Sequence, residues 1–170
     1  MSVHPEEKIR ILLVCTGNIC RSPTAEGVVR TMAARAGLAD RIELDSAGTH
    51  GAHIGAPPDR RTQAAAARRG YDLSGLRARR VGDADFLRFD LILAMDRDNL
   101  AVLQQACQPA QRHKLKLFLD YAGDCGADEM PDPYYGGPAG FERVLDLTEA
   151  AARALIDRLL LPADTASDAR

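Results

Sequence analysis

A chain of 170 residues, of which 46% are hydrophobic and 27% charged, has the size and composition of one globular domain with its own apolar core. A formal net charge of −2 argues against a dedicated nucleic-acid binder, and no run of 18 apolar residues predicts a membrane span. The amino terminus carries Glu6 and Glu7 and does not resemble a signal peptide. Four cysteines and four histidines show no zinc-ligand spacing, so we expect neither a metal site nor a cofactor.

Strand-like and helix-like segments alternate along the chain. The apolar run at 9–14 predicts a strand with both faces covered, and helical spacing then continues to Ala36, where Gly37 ends the helix. The remaining predicted elements are, in chain order, a strand at 42–44, a loop at 46–58, a helix at 59–69, a strand at 90–94, a helix at 97–106, a strand at 115–118, a loop at 120–140 and a last helix at 141–159. We expect a single domain over 1–170, with loose tails at 1–8 and 162–170.

This alternation predicts an α/β fold, in which right-handed crossovers build a parallel sheet with helices on both faces. Ligands of such sheets bind beyond the carboxyl ends of the strands. The first predicted strand ends at Cys15, so the loop that follows is the first candidate for a functional site.

Residues 15–22 read Cys-Thr-Gly-Asn-Ile-Cys-Arg-Ser. A loop between a strand and a helix can turn its N–H groups inward as a nest for an anion, and the helix adds the positive end of its dipole. Arg21 would add a planar fork that matches two phosphate oxygens, and the same donors would stabilise a thiolate at Cys15. The segment therefore predicts one loop that binds phosphate and activates a nucleophile.

Three neighbouring features separate this interpretation from a chance spacing around a buried cysteine. Gly17 and Asn18 tolerate the left-handed backbone that such a loop needs. Ser22 followed by Pro23 predicts a helix N-cap and a proline in the first turn. Together with the preceding strand, they favour a catalytic phosphate-binding loop.

Four segments of the chain resemble the low-molecular-weight protein tyrosine phosphatases, in their bacterial branch. They are Cys-Thr-Gly-Asn-Ile-Cys-Arg-Ser-Pro at 15–23 with Ala25-Glu26, Asp-Ser-Ala-Gly-Thr at 45–49, Phe-Asp-Leu-Ile-Leu-Ala-Met-Asp at 89–96, and Pro-Asp-Pro-Tyr-Tyr-Gly-Gly at 131–137. The resemblance covers roughly residues 9–160. It implies a four-stranded parallel sheet in the order 2-1-3-4 and the hydrolysis of phosphotyrosine.

The same resemblance implies catalytic roles for three residues. Cys15 would form a cysteinyl-phosphate, Arg21 would bind the phosphate, and Asp132 would protonate the leaving group and then activate water. From its local sequence alone, Asp132 between two prolines indicates only a turn. Substrate and phosphate binding are expected from Thr16, Gly17, Asn18, Ile19, Cys20, Ser22, Tyr134 and Tyr135.

Several of these residues have two interpretations. Ser22 caps the helix and, on the second interpretation, also donates a hydrogen bond to the thiolate. Tyr134 and Tyr135 form a wall that stacks on an aromatic substrate, or one of them packs under the loop; in the family this pair is also phosphorylated. Ile19 at the loop tip favours a flat ring over a charged guanidinium, and hence phosphotyrosine over phosphoarginine.

Other residues of the family motifs have supporting roles. Cys20 is a small buried residue or, as the resemblance implies, a resolving thiol that traps an oxidised Cys15 as a disulfide. Asn18 and Ser46 are expected to brace the loop through hydrogen bonds. Asp96 either joins them or caps an exposed helix.

The chain departs from the family pattern at three positions. Ala52 stands where bacterial relatives usually have tryptophan, so that pocket wall is lost or is taken over by His50. Gly75 and Arg80 stand where relatives carry histidine and glutamine. Residues 59–80 hold seven arginines against two aspartates, which favours a solvated helix face over a basic patch for acidic protein substrates.

Two other functions fit part of the pattern. An arsenate reductase on the same fold would relay a disulfide through two closely spaced cysteines, but Cys107 and Cys125 are 18 positions apart. A phosphate-binding module without catalysis would need neither Cys15 nor Asp132. We expect a phosphotyrosine-containing protein as substrate, with a tyrosine kinase as a candidate partner, and a cytoplasmic location because Cys15 must stay reduced.

Overall fold

The computed structural model describes residues 8–161, so the tails predicted at 1–8 and 162–170 lie outside the described residues apart from Lys8. The strands are β1 (Ile9–Cys15), β2 (Ile42–Gly48), β3 (Leu91–Ala94) and β4 (Leu115–Leu117). The helices are α1 (Arg21–Arg35), α2 (Arg60–Arg68), α3 (Asp83–Arg88), α4 (Arg97–Ala106) and α5 (Pro138–Leu159). Short 3₁₀ helices occupy Ala39–Arg41, Pro109–Lys114 and Phe118–Ala122.

The four strands form one parallel sheet in the order β2-β1-β3-β4, which confirms the predicted topology. β1 is a central strand and pairs with β2 along its whole length, so that Cys15 lies opposite Gly48. On the other side, Val14 lies opposite Ala94 of β3. The carboxyl ends of the three longest strands therefore meet at the edge where the Cys15 loop begins.

Helices cover both faces of the sheet, as the alternation predicted. One face of β1, with Ile11 and Leu13, packs against α1, α2 and α5 in the larger core cluster. The other face, with Leu12 and Val14, packs against Phe86 of α3 and residues of α4 in a smaller cluster. Because β1 is apolar on both sides, its five residues from 11 to 15 are all buried. Across residues 8–161, we find no helix whose length and hydropathy together suffice to cross a bilayer.

The structure differs from the predicted elements at four places. β2 runs to Gly48 rather than ending at residue 44, because the polar residues Asp45 and Ser46 pair with β1 at the sheet edge. α5 begins at Pro138 rather than at 141, and β4 ends one residue before the predicted 118. α3 has no counterpart in the prediction. Its six residues are too few to show a helical period, although Asp85 accepts a hydrogen bond from the Gly82 amide at 2.8 Å.

The prediction that Ser22 is the N-cap of α1 is wrong. The helix already begins at Arg21, and the N-cap is Cys20, which makes no side-chain capping bond. Ser22 is instead the second helical residue, and Pro23 the third, where its missing N–H leaves no bond unmade. The predicted stop at Gly37 is confirmed, since this residue follows α1 with φ 75°. Asp59, predicted as the first residue of a helix at 59–69, is instead the N-cap of α2 and accepts from the Arg61 amide.

Candidate active site

The loop after β1 turns sharply over the edge of the sheet. Asn18 has φ 58° and is the only non-glycine residue between 8 and 161 with a positive φ. Gly17 was expected to share this left-handed backbone but does not. Position 17 favours glycine for lack of space, because a Cβ there would lie 3.0 Å from the His53 ring. Gly48 is similarly constrained, since its Cβ would lie 2.6 Å from the Thr16 carbonyl oxygen.

The sulfur of Cys15 is buried and faces two hydrogen-bond donors. The Asn18 amide N–H donates to Sγ at 3.2 Å, and the Ser22 hydroxyl lies 3.0 Å from Sγ. Ser22 Oγ also accepts a hydrogen bond from Asn18 Nδ2 at 2.8 Å, which leaves its own proton free to point at the sulfur. Ser22 thus lies where the second of its two interpretations places it.

A buried polar network holds the loop in this shape. Asn18 Nδ2 donates to Ser46 Oγ at 2.9 Å, and Ser46 donates in turn to Glu26 Oε1 at 2.7 Å. Asn18 Oδ1 accepts from the Arg79 amide at 3.0 Å. All polar atoms of the Asn18 side chain therefore have partners, and the loop is tied to β2, to α1 and to the segment after α2. Ser46 makes the hydrogen bond that the sequence predicted for it.

Arg21 is buried with 3% of its side chain exposed. Its Nη1 donates to Asp96 Oδ2 at 2.6 Å and to the Met130 carbonyl at 3.1 Å, while Nη2 donates to Thr16 Oγ1 at 3.3 Å. Burial lowers the pKa of Arg21, but the negative charge on Cys15 and the hydrogen bond to Asp96 outweigh it and hold that pKa above its ordinary value. The guanidinium is therefore a fixed positive charge at the floor of the loop.

Asp96 both supports the loop and caps α4, the two roles that the sequence offered as alternatives. Its Oδ2 pairs with Arg21, and its Oδ1 accepts from the Asn99 amide at 2.7 Å as the N-cap of α4. Asn99 in turn donates to Thr16 Oγ1 at 3.0 Å. The start of α4 is thereby fixed to both ends of the catalytic loop.

Asp132 lies at the mouth of the site. Its Oδ2 is 3.7 Å from Arg21 Nη2, its Oδ1 accepts from the Tyr134 amide at 3.1 Å, and its side chain is 47% exposed. The segment before it is anchored where Met130 N donates to the Met95 carbonyl at 2.8 Å. A carboxyl group with one face to water can exchange protons with solvent as well as with a bound group.

Arg97 adds a second anchor to the same segment. Its side chain pairs with Asp128 at 2.6 Å and with Glu129 at 2.8 Å, and its backbone N–H donates to Glu129 at 3.1 Å. Asp128 and Glu129, which precede Asp132, thus pair with a cation and are not crowded against Asp132.

One cleft brings most of the predicted residues together. It has a volume of about 140 Å³ and is lined by Cys15, Thr16, Gly17, Ile19, Cys20, Arg21, His50, Ala52, His53, Asp132, Tyr134 and Tyr135. Asn18, Ser22 and Ser46 do not line it but lie behind the loop, where they support it. A cysteine sulfur, a buried guanidinium and an exposed carboxyl group therefore face one small cleft, which suits attack on a phosphate ester.

The two tyrosines differ in their surroundings. Tyr134 packs partly against the core and lies under the guanidinium of Arg61, which also donates to its carbonyl oxygen at 3.1 Å. Tyr135 is 92% exposed and contacts Tyr134 edge-on at a centroid distance of 4.8 Å. Across the cleft, the ring of His53 lies 6.4 Å from that of Tyr134. The wall opposite the tyrosines is therefore shared by His50 and His53, and the sequence interpretation missed His53.

Cys20 is buried in the loop, and burial raises the pKa of its thiol to about 12. It is therefore a neutral thiol near pH 7. The remaining cysteines are remote from the cleft. Cys107 packs in the smaller core cluster on the other face of the sheet, and Cys125 donates to the Ala127 carbonyl. Within residues 8–161, no group of three or more metal-binding side chains gathers.

Three supporting residues were not singled out from the sequence. Glu26 appeared only as part of a motif, yet it is buried and accepts the Ser46 hydroxyl. Arg79 contributes a backbone N–H to Asn18, which no side-chain pattern could reveal. Asn99 had a local signal, because it stands three residues after Asp96 at the start of a predicted helix.

Known proteins are similar to this chain in sequence. A family model described as low molecular weight phosphotyrosine protein phosphatase matches residues 10–163. A protein of Synechocystis sp. is 48% identical over 152 residues, which cover 89% of this chain and 96% of that protein. YfkJ of Bacillus subtilis, named a low molecular weight protein-tyrosine-phosphatase, is 42% identical over 148 residues, covering 87% of this chain and 94% of that one.

Solved structures of other proteins are also similar to this chain. A crystal structure of a protein tyrosine phosphatase from Entamoeba histolytica superposes with a TM-score of 0.87 at 39% identity, over 89% of this chain and 97% of that one. The crystal structure of YfkJ has a TM-score of 0.84 at 37% identity, over 98% and 100% of the two chains.

Proposed function

This chain belongs to the low molecular weight phosphotyrosine protein phosphatase family, and from that premise we propose that it hydrolyses phosphotyrosine in proteins through a cysteinyl-phosphate on Cys15. The observation that carries the proposal is the cleft itself. It joins a sulfur with two donors, a buried Arg21, and Asp132 at 3.7 Å from that guanidinium.

In the first step, the Cys15 thiolate attacks phosphorus and the P–O bond to the tyrosine breaks. Arg21 and the inward N–H groups of the loop hold the phosphate oxygens, where negative charge builds up. Asp132 gives its proton to the departing phenoxide, which leaves as tyrosine.

In the second step, the Asp132 carboxylate takes a proton from water, which attacks phosphorus. The P–S bond breaks, inorganic phosphate leaves, and Cys15 returns to the thiolate. Asn18 and Ser22 stabilise the sulfur as it departs, since both donate to it or lie within hydrogen-bond distance. Asp132 thus donates a proton in the first step and accepts one in the second.

The cleft walls support an aryl phosphate over other phosphate esters. Ile19 and Tyr134 are apolar surfaces on which a flat ring can pack, and His53 lies opposite Tyr134. Ala52 leaves one side of the cleft more open than tryptophan would. We propose phosphotyrosine proteins as the substrate class, a tyrosine kinase as the partner that makes them, and the reducing cytoplasm as the location.

The test is turnover of p-nitrophenyl phosphate and of phosphotyrosine, phosphoserine and phosphoarginine peptides. Cys15→Ser should abolish turnover of all of them, and Asp132→Ala should retain phosphate binding but lose about 10²–10⁴-fold in rate on phosphotyrosine. Wild-type rates in both variants would overturn the catalytic assignment, whereas phosphate binding without turnover by the wild type would indicate a phosphate-binding module. Faster turnover of phosphoarginine than of phosphotyrosine would overturn the substrate class.

An arsenate reductase finds no support in the site. Neither Cys107 nor Cys125 lines the cleft, and a relay would need two further, closely spaced cysteines on a mobile segment, whereas these two are 18 positions apart.

A further inference from the structure

We propose that Arg80 forms a second anion subsite beside the catalytic cleft, which favours phosphotyrosine substrates with an acidic group close to the phosphotyrosine. The inference rests on the proposed function and narrows its substrate class. It starts from Arg80 because this residue differs from the family pattern and lies next to the cleft.

The backbone of Arg80 is fixed in line with Cys15 across the edge of the sheet. Gly48 pairs with Cys15, and the segment around Arg80 forms a parallel bridge to Gly48 on its other side. Hydrogen bonds of 2.8 Å from Gly48 N to the Arg79 carbonyl and 2.9 Å from Val81 N to the Gly48 carbonyl hold that bridge. Two strand spacings place the Arg80 backbone about 10 Å from that of Cys15, which equals about three residues of extended peptide.

The side chain of Arg80 runs along the rim of the cleft. Its Cδ lies 3.6 Å from the point where a Cβ on Gly51 would stand, and the Ile54 side chain lies 3.0 Å from the same point. Gly51 stands between His50 and Ala52, which both line the cleft. Since Gly51 has no side chain, a shallow path leads from the cleft over Gly51, between Ile54 and Arg80.

The Arg80 guanidinium is exposed and, within residues 8–161, has no hydrogen-bond or ion-pair partner. Its neighbour Arg79 has already engaged the two nearby carboxylates, pairing with Asp45 and Asp85 at 3.0 Å. Ile54 is 64% exposed, so the same path offers an apolar contact. A cation without a partner next to an apolar surface, at the entrance of a cleft that binds a dianion, suits a peptide with a carboxylate near its phosphotyrosine.

This placement revises the interpretation of the arginine-rich stretch at 59–80. Most of its arginines are engaged within the chain, as Arg61 is with Asp59 and Arg69 with Glu149. The stretch at 59–80 therefore forms no general basic patch. Selectivity for acidic substrates depends on Arg80, the arginine that reaches the rim of the cleft beside His50.

The experiment uses the full chain and matched phosphotyrosine peptides that carry Glu, Gln or Lys at each of the three positions on either side. The readout is kcat/KM for each Glu peptide divided by that for its Gln partner in the same variant, so that differences in basal activity cancel. At one or more positions, the wild type should prefer Glu about two- to fivefold, the range of an exposed ion pair, and the preference should shrink at high salt.

Variants of Arg80 give the decisive comparison. Arg80→Gln should bring the Glu/Gln ratio to one, Arg80→Lys should keep most of it, and Arg80→Glu should turn the preference toward Lys peptides. Arg112→Gln makes the same change at an exposed arginine just before β4, at the amino end of the sheet, and should leave the ratio as in the wild type. Peptides with a second phosphotyrosine at the preferred position tell whether the subsite takes any anion or a carboxylate alone, and preference for either supports it.

A wild type without any preference, or a Glu/Gln ratio that survives Arg80→Gln, would overturn the subsite. Those results differ from failure of the proposed function, in which no phosphotyrosine peptide is hydrolysed at all.

Discussion

Ser22 is the residue at which the loop's structural support meets its chemistry. Its hydroxyl accepts from Asn18 Nδ2 at 2.8 Å and lies 3.0 Å from the Cys15 sulfur. A neutral hydroxyl that is already held by one donor has its proton directed at the sulfur without further loss of freedom. Of the two roles that the sequence offered for Ser22, the structure excludes the N-cap and places the hydroxyl within hydrogen-bond distance of the sulfur.

The first prediction concerns this hydroxyl. Ser22→Ala should lower kcat with p-nitrophenyl phosphate about 10–100-fold, because a hydrogen bond to a charged sulfur contributes about 1.5–3 kcal/mol. Alkylation of Cys15 by iodoacetate at mildly acidic pH should slow in parallel, since less thiolate is present. Ser74→Ala removes a hydroxyl that contacts only Asp72 and should change neither rate. Unchanged alkylation in Ser22→Ala would contradict the role in stabilising the thiolate.

The second prediction concerns Cys20 as a resolving thiol. After treatment with peroxide, the wild type should recover its own starting activity when a dithiol is added, whereas Cys20→Ser should not, because its Cys15 over-oxidises. Cys107→Ser, on the other face of the sheet, should recover as the wild type does. Full recovery of Cys20→Ser would exclude the protective role.

The raised pKa of Cys20 adds a pH dependence to that prediction. With a pKa of about 12, the Cys20 thiol is almost wholly protonated near pH 7. As long as the pH stays below 12, each increase of one pH unit raises the thiolate fraction of Cys20 about tenfold. Disulfide capture of oxidised Cys15 should therefore become faster as the pH rises. Mass spectrometry measures the ratio of the Cys15–Cys20 disulfide to the sulfinic form of Cys15. A ratio that falls as the pH rises would contradict the role of Cys20 as the resolving thiol.

At the scale of elements, the site depends on how the loop with Asp132 is attached to the start of α4. Arg97, the first residue of α4, pairs with Asp128 and Glu129, and Met130 bonds to Met95 just before the helix. The two ion pairs are exposed, so each is weak alone, whereas Met95 and Met130 are buried. Together they fix the chain two residues before Asp132.

The third prediction is that Arg97→Gln misplaces Asp132 without touching substrate. Phenyl phosphate, whose leaving group needs a proton, should lose more rate than p-nitrophenyl phosphate, whose leaving group needs little help. KM should change less than kcat, and Arg97→Lys should restore part of the difference. Arg88→Gln breaks an exposed pair with Glu43 at the other end of the sheet and should affect both substrates equally. Equal losses on both substrates in Arg97→Gln would indicate a merely structural role.

The fourth prediction concerns the attachment of α2 to α5. Arg69, just after α2, pairs with Glu142, Asp146 and Glu149 of α5. Arg69→Met should lower the free energy of unfolding by about 1–3 kcal/mol at neutral pH, as expected for hydrogen bonds to charged groups. Hydrogen bonds from Arg69 and Arg68 hold the pKa of Glu142 below its ordinary value of 4.5.

The sign of the pH effect follows from that lowered pKa. A carboxylate that binds its proton less tightly when folded stabilises the fold above its ordinary pKa, and this contribution is lost as the pH falls through the folded-state pKa. The difference in urea unfolding between wild type and Arg69→Met should thus be full near neutral pH and shrink below about 4.5. A difference that grows in acid would contradict it.

The sequence predicted the elements whose signals are local and missed the contacts that only the fold creates. The apolar run of β1 and the stop at Gly37 each follow from residues close together in the chain, and both stand as predicted. The roles of Glu26 and of the Arg79 amide depend on segments that meet only after folding. The N-cap at Ser22 failed because the loop uses that hydroxyl for the sulfur.

At the scale of the whole molecule, the site is a junction of segments that are distant in the chain. The loop at 15–22 is bonded to β2 through Ser46, to the start of α4 through Asp96, and to the segment before Asp132 through the Met130 carbonyl. Arg21 makes the last two of these bonds and stays charged between them. An anion bound in the loop would therefore tighten contacts that belong to the global fold, and its binding should be visible as stability.

The last prediction is that inorganic phosphate stabilises the folded chain. At ten times the dissociation constant, a ligand that binds only the folded state adds about 1.4 kcal/mol, which raises Tm by about 3–6 °C for a chain of this length. Arg21→Lys keeps the charge but loses the planar fork, so its gain should be much smaller, whereas Arg112→Gln should gain as much as the wild type. Chloride at matched ionic strength is the reference for each scan. An equal rise in Arg21→Lys and the wild type would contradict the role of the Arg21 fork in binding phosphate, because lysine offers a point charge and no planar pair of donors.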